Sequence, residues 1–246
     1  MTALLSWYDE PLNLLTDAVL SLRGFCDRLI ALDGAYAFTP DAEPASPPGQ
    51  ADAIRMAADA AGIDGVVVQP GRLWAGQIEK RQYLFDLAAG PPADWLLIHD
   101  ADHELDGDPV RFRAFLAGLP PDVVTIEAQY RTPAVAGRQL TPWHEWLTRE
   151  TFFTPLLFRA LPELRVERHH WWYSGLLQGE RVALWGWDDS GGELDGAGLY
   201  PPGRHEQTKT FKVRHRCFER PEPLLARQRG LYAARADLVA AAGVEP

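Results

Sequence analysis

The sequence predicts an open α/β sheet, mostly parallel, with helices on both faces. Short apolar runs alternate with stretches of helical spacing from the N-terminus to about residue 100. The runs Ala3-Leu4-Leu5, Leu29-Ile30-Ala31-Leu32, Val66-Val67-Val68 and Trp95-Leu96-Leu97-Ile98 are continuously apolar, as strands buried on both faces require. Each run then passes into polar residues, and in such sheets ligands sit beyond the carboxyl ends of the strands.

The first strand runs from Ala3 to Trp7 and leads into the loop Tyr8-Asp9-Glu10. Pro11 suits a first helical position, and Leu12, Leu15, Val19 and Leu22 fall on one face before the stop at Gly24. The second strand ends in Asp33-Gly34. A Pro-rich, acidic surface loop spans Thr39 to Gly49, then a helix passes through Ile54 and Met56 to the third strand. Trp74 to Ala89 reads as a helix carrying Lys80 and Arg81, and it leads to the strand that ends at Asp100. Beyond Gly107 the pattern predicts a helix through Phe112, Phe115 and Leu116 and a strand at Val123 to Glu127. Short strands and aromatics follow, then a Gly-rich acidic loop from Asp188 to Gly203. Thr208 to Phe218 alternates, with Phe211, Val213, His215 and Cys217 on one face and Lys212, Arg214 and Arg216 on the other. Glu222 to Ala242 reads as a helix. The expected organisation is an α/β part over 1–130 and a mixed region over 131–246, both within one compact domain.

The 246 residues, 46% of them hydrophobic, suffice for a full core. No run of eighteen apolar residues predicts a membrane helix, and the N-terminus lacks a signal-peptide core. The expectation is a soluble, cytoplasmic protein. Cys26 and Cys217 form no CxxC pair and read as reduced thiols. A formal charge of −10 argues against broad nucleic-acid binding.

Asp100 and Asp102 are the pair on which the functional reading turns. Strand alternation puts two carboxylates one residue apart on the same side, a turn there can converge them further, and a divalent cation is the usual way to neutralise such a pair. The overlapping segment from Asp102 to Arg113 imitates a calcium loop but has Arg113 where a bidentate Glu is required, so that reading fails. Glu104 and Asp106 read as solvated or helix-capping groups. Ser6, Tyr8 and Asp33 share the expected ligand rim. Tyr8 offers a ring for base stacking, and Asp33 either closes a turn or bonds a ribose or base. Lys80 and Arg81 read either as an exposed helix face or as diphosphate partners, Arg being the better fork. His215 is either a satisfied core imidazole or a metal or phosphate ligand. His169 and His170, with Trp171 and Trp172, form either an acceptor wall or a hydrophobic cluster. His144-Glu145 lacks the second His of a zinc-protease helix, and no GxSxG, P-loop or GxGxxG is present.

Together, Ser6-Trp7-Tyr8-Asp9-Glu10, Asp33-Gly34-Ala35, Glu79-Lys80-Arg81 and Asp94 to Asp102 resemble a glycosyltransferase of the GT-A fold, nearest to the inverting family-two type. The resemblance covers residues 3 to 130, with a weaker echo to about 216. It implies a GT-A-like (Rossmann-like) sheet with a mixed acceptor-side extension, and sugar transfer from a nucleotide-diphosphate donor. It gives Tyr8 and Asp33 the nucleoside, and Arg81 the donor. Asp100 and Asp102 take Mn²⁺ or Mg²⁺, with His215 as a further metal ligand. The chain departs from the family at Gln82, where Asn is common, and at Ala35-Tyr36-Ala37, where Ser/Thr and Asp are usual. No acidic catalytic motif is recognisable in the second half; Asp188, with Asp189 beside it, and His170 are the candidates for general base. The acceptor is unassigned among glycan, protein, lipid and modified nucleic acid. A nucleotidyltransferase making a sugar nucleotide, or a carbohydrate-binding protein without activity, are the alternatives.

Overall fold

The computed structural model describes residues 1–89, 94–135, 152–166, 173–185 and 204–227. Strands β1 (Thr2–Ser6), β2 (Arg28–Leu32), β3 (Asp64–Val68) and β4 (Trp95–Asp100) are the four apolar runs of the sequence. They alternate with helices α1 (Leu12–Leu20), α2 (Gln50–Ala61) and α3 (Gln77–Ala88). After β4 come β5 (His103–Gly107), α4 (Pro109–Ala117), β6 (Val123–Arg131) and β7 (Phe152–Arg159). The remaining strands are β8 (Arg165–Val166), β9 (Tyr173–Leu177), β10 (Glu180–Trp185) and β11 (Arg204–His215).

Eight strands form one sheet in the order β3-β2-β1-β4-β7-β6-β11-β5. β7 and β5 run antiparallel to their neighbours, and the four N-terminal strands are parallel. The expected class, a largely parallel α/β sheet flanked by helices, is therefore the observed one. Strand alternation divides the core in two. Ala3, Leu5, Leu29, Ala31, Trp95 and Leu97 face α1, α2 and α4, while Leu4, Ile30, Leu32, Leu96 and Ile98 face α3. On that second side α3 also meets a small antiparallel sheet, β10-β9-β8. Gln82 fastens it: its amide donates to the Leu164 carbonyl at 3.0 Å and accepts from the Val166 N–H at 2.9 Å.

Three elements differ from expectation. Trp74 lies outside α3: it is bridged to Tyr36, its indole donates to the Asp33 carbonyl, and the helix begins three residues later. Lys80 and Arg81 are buried rather than forming an exposed helix face, because α3 lies on the sheet and turns these residues toward its rim. The segment after Asp102 is a strand, β5, paired with β11, so Asp106 and Glu104 face Lys212, Arg214 and Arg216. The helix cap is Asp108, whose carboxylate accepts from the Val110 and Arg111 N–H groups. Among the described residues no helix is long and apolar enough to cross a membrane. Residues 222–227 are helical, as the sequence predicts for the start of the last helix.

Candidate functional site

The parallel register brings the tips of β1, β2 and β4 level, with Ser6 opposite both Leu32 and Asp100. Lys80 ties two of these tips together. Its ammonium is buried and donates to the carbonyls of Trp7 (2.8 Å) and Gly34 (2.7 Å). Burial drives its pKa down to about 7, against the pull of Asp33 and Asp100. Arg81 lies beside Tyr36, Tyr173 and Asp100, and its Nη2 is 3.5 Å from Asp100 Oδ1. Arg81 Nη1 is buried and has no hydrogen-bond partner among the described residues. A buried guanidinium with a spare N–H is costly unless something accepts from it.

Asp100 and Asp102 sit on either side of the turn from β4 into β5. Asp100 is half-buried; burial raises its carboxyl pKa, but the Arg81 guanidinium outweighs that and holds it below the usual range. Asp102 is buried. Arg220 Nη1 donates to its Oδ2 at 2.6 Å, and His215 Nε2 lies 3.1 Å from the same oxygen. These two cations overcome the burial penalty and hold Asp102 well below the usual carboxylate range. For His215 burial alone would lower the pKa, but Asp102 raises it to about 10. Its second nitrogen meets the Thr132 hydroxyl at 3.2 Å.

The residue that the sequence reading passed over is His103. It stands directly across the β5–β11 pair from His215. Burial lowers its pKa and keeps it neutral. Its Nδ1 accepts from the Asp100 N–H at 3.3 Å, so the proton sits on Nε2, which faces the Tyr130 hydroxyl at 3.0 Å. The signal was present: His103 and Leu105 point inward while Glu104 and Asp106 point out, a strand alternation hidden behind the apparent calcium loop.

Asp102, His103 and His215 each offer one ligand atom, all within 4.8 Å of one another. That spacing fits three ligands around one divalent ion with bonds of about 2.0–2.4 Å. His103 would offer one ring nitrogen to a cation, and Tyr130 beside it is the kind of outer partner that orients a ligating imidazole. One carboxylate and two imidazoles suit a metal ion, and the cluster could hold one.

Asp33 is fully buried. Its carboxylate accepts from the Gly34 N–H, the Ser46 N–H and hydroxyl, and the Gln69 amide. These four bonds fill its four acceptor positions, so a ribose or base would have to replace one of them. Tyr8 is half-buried; its hydroxyl accepts from the Glu43 N–H, and the Arg227 guanidinium lies 5.2 Å from the ring centre. Asp188 and His170 lie outside the described residues.

No family model and no curated protein matches the chain. Among solved structures it is similar to residues 1–349 of S. aureus TarS. That match has 12% identity and a TM-score of 0.39, and it covers 68% of this chain and 51% of that one. A longer S. aureus TarS structure matches at 10% identity and a TM-score of 0.35, over 57% of this chain and 23% of that one. The chain thus spans little more than half of the shorter TarS chain and under a quarter of the longer.

Proposed function

We propose that this protein is a metal-dependent glycosyltransferase that moves a sugar from a nucleotide-diphosphate donor to an acceptor hydroxyl. The observation that carries the reading is the continuity of one rim. Arg81, with an N–H that has no partner among the described residues, faces Asp100, and Asp100 adjoins the Asp102-His103-His215 cluster through His103. An anion-binding guanidinium and a cation-binding cluster side by side suit a ligand that carries a diphosphate.

Asp102, His103 and His215 would hold the cation, with Asp100 alongside. When bound, that ion neutralises charge on the departing diphosphate. The imidazoles favour Mn²⁺ over Mg²⁺, which keeps to oxygen ligands. Arg81 would donate to a phosphate oxygen and stabilise charge as the glycosidic bond breaks. Ser6 and Tyr8 lie at the nucleoside end, and Asp33 would join them on exchanging a Ser46 contact. Lys80 positions the Trp7 and Gly34 carbonyls beneath them. Asp188 or His170 would take the acceptor proton as its oxygen attacks the anomeric carbon, giving inversion. The region 1–130 would hold the donor and 131–246 the acceptor, while the loop from Asp188 to Gly203 would close over the donor and exclude water.

Calorimetry with a panel of UDP, GDP and dTDP sugars in Mn²⁺ tests the reading. One donor should bind and be slowly hydrolysed, and Asp102→Asn should abolish the metal-dependent part while the fold survives. Absence of binding and hydrolysis across the panel, or unchanged donor affinity in Asp102→Asn, would overturn it.

A further inference from the structure

Arg220 belongs to no element that the sequence marks as functional, yet it lies at the centre of the site's charge network. It follows the short 3-10 turn Cys217–Glu219 that continues from β11. The guanidinium is buried and reaches two acids at once. Nε and Nη2 donate to the two oxygens of Glu10, each at 2.7 Å, and Nη1 donates to Asp102 Oδ2 at 2.6 Å. Glu10 stands in the loop after β1, on a backbone held by a reciprocal pair with the Gln50 amide. Two residues upstream is Tyr8. The same C-terminal segment contacts that loop again through Arg227, which pairs with Asp9 and covers the Tyr8 ring.

A metal ion on Asp102 would therefore find the carboxylate already engaged by a fixed cation. A guanidinium cannot lose its proton, so it cannot step aside by titration as an imidazole can. It must share the carboxylate or move, and moving releases Glu10. We propose that Arg220 is the resident counter-cation of Asp102: it sets the affinity of the site for a divalent ion and couples ion loading, through Glu10, to the loop that carries Tyr8. Arg220 is on this view a positioning residue. The inference rests on the metal site of the preceding reading but not on sugar transfer.

Mn²⁺ titration of the full chain, followed by the paramagnetic signal of the free ion and needing no donor, tests it. R220M should bind Mn²⁺ roughly ten-fold or more tightly than the wild type, because one positive charge at hydrogen-bond distance has been removed. E10Q should bind more weakly, since Arg220 then loses the acid that competes with Asp102 for its charge. A merely structural role moves R220M and E10Q in the same direction, so opposite signs are the signature. Unchanged or weaker binding in a cooperatively melting R220M overturns the proposal. If R220M does not fold, E10Q decides alone, and unchanged affinity there overturns it. No Mn²⁺ binding in any variant or the wild type would sink the metal site and Arg220's role together. The predicted order of affinities with no nucleotide-sugar binding would sink sugar transfer and leave Arg220's role standing.

Discussion

His103 and His215 stand directly across from one another on β5 and β11, their ring centres 5.5 Å apart. The pairing of these two antiparallel strands is what makes a ligand cluster out of residues far apart in the chain. Gly107, at the other end of β5, keeps the pairing close. A Cβ there would lie 2.4 Å from the Thr210 carbonyl oxygen and 2.5 Å from the Phe211 Cα. Both are backbone atoms and cannot turn away. Gly107→Ala should cost about 1–3 kcal/mol and weaken Mn²⁺ binding, read by urea unfolding and by ion titration on the same sample. Unchanged stability would show that β5 tolerates displacement.

Ser46 is the latch of the 39–49 loop. Its hydroxyl donates to Asp33 Oδ1 at 2.5 Å in a fully buried setting. Removing a hydrogen bond to a buried carboxylate costs about 1–3 kcal/mol, and Ser46→Ala should lose that much in chemical denaturation. A loss below the error of the measurement would mean that Gly34, Gln69 and the Ser46 N–H satisfy Asp33 alone.

Lys80 links stability to alkaline pH. Its pKa in the folded protein is about 7, against an ordinary value of 10.5, because burial opposes the charge. Between these values the unfolded chain binds the proton more often than the folded one. The Lys80 contribution to stability therefore rises as pH climbs from about 7 to 10.5, and its penalty is complete below 7. Stability measured from pH 7 to 10 should rise less steeply in Lys80→Met than in the wild type. Parallel slopes would place the charged ammonium in a better-solvated setting.

His99 acts at the acid end. It is buried with Nε2 3.1 Å from the Ala18 carbonyl and Nδ1 without a partner among the described residues. Burial lowers its pKa to about 3 from 6.5, so the unfolded chain takes up the proton first. The stability tied to the neutral ring is fully present above pH 6.5 and is lost progressively toward pH 3. His99→Gln, which keeps a donor for Ala18 and cannot protonate in this range, should show a shallower loss of stability over that interval. An identical acid-unfolding curve would argue against His99 as a contributor.

The sequence by itself determined the framework. Four continuous apolar runs fix four strands buried on both faces, because burial leaves its pattern in consecutive residues. It also determined which polar residues follow those strands, and so the rim on which Ser6, Tyr8, Asp33 and Asp100 lie. The alternation around His215 was equally legible as a strand. Only the tertiary structure decided what each of these groups meets. Arg220 on Asp102, Lys80 on the Trp7 and Gly34 carbonyls, Ser46 on Asp33 and His103 against His215 are pairings between distant stretches of chain. No local periodicity encodes them; they follow from which strands lie side by side and from buried charges finding partners once the chain has closed around them.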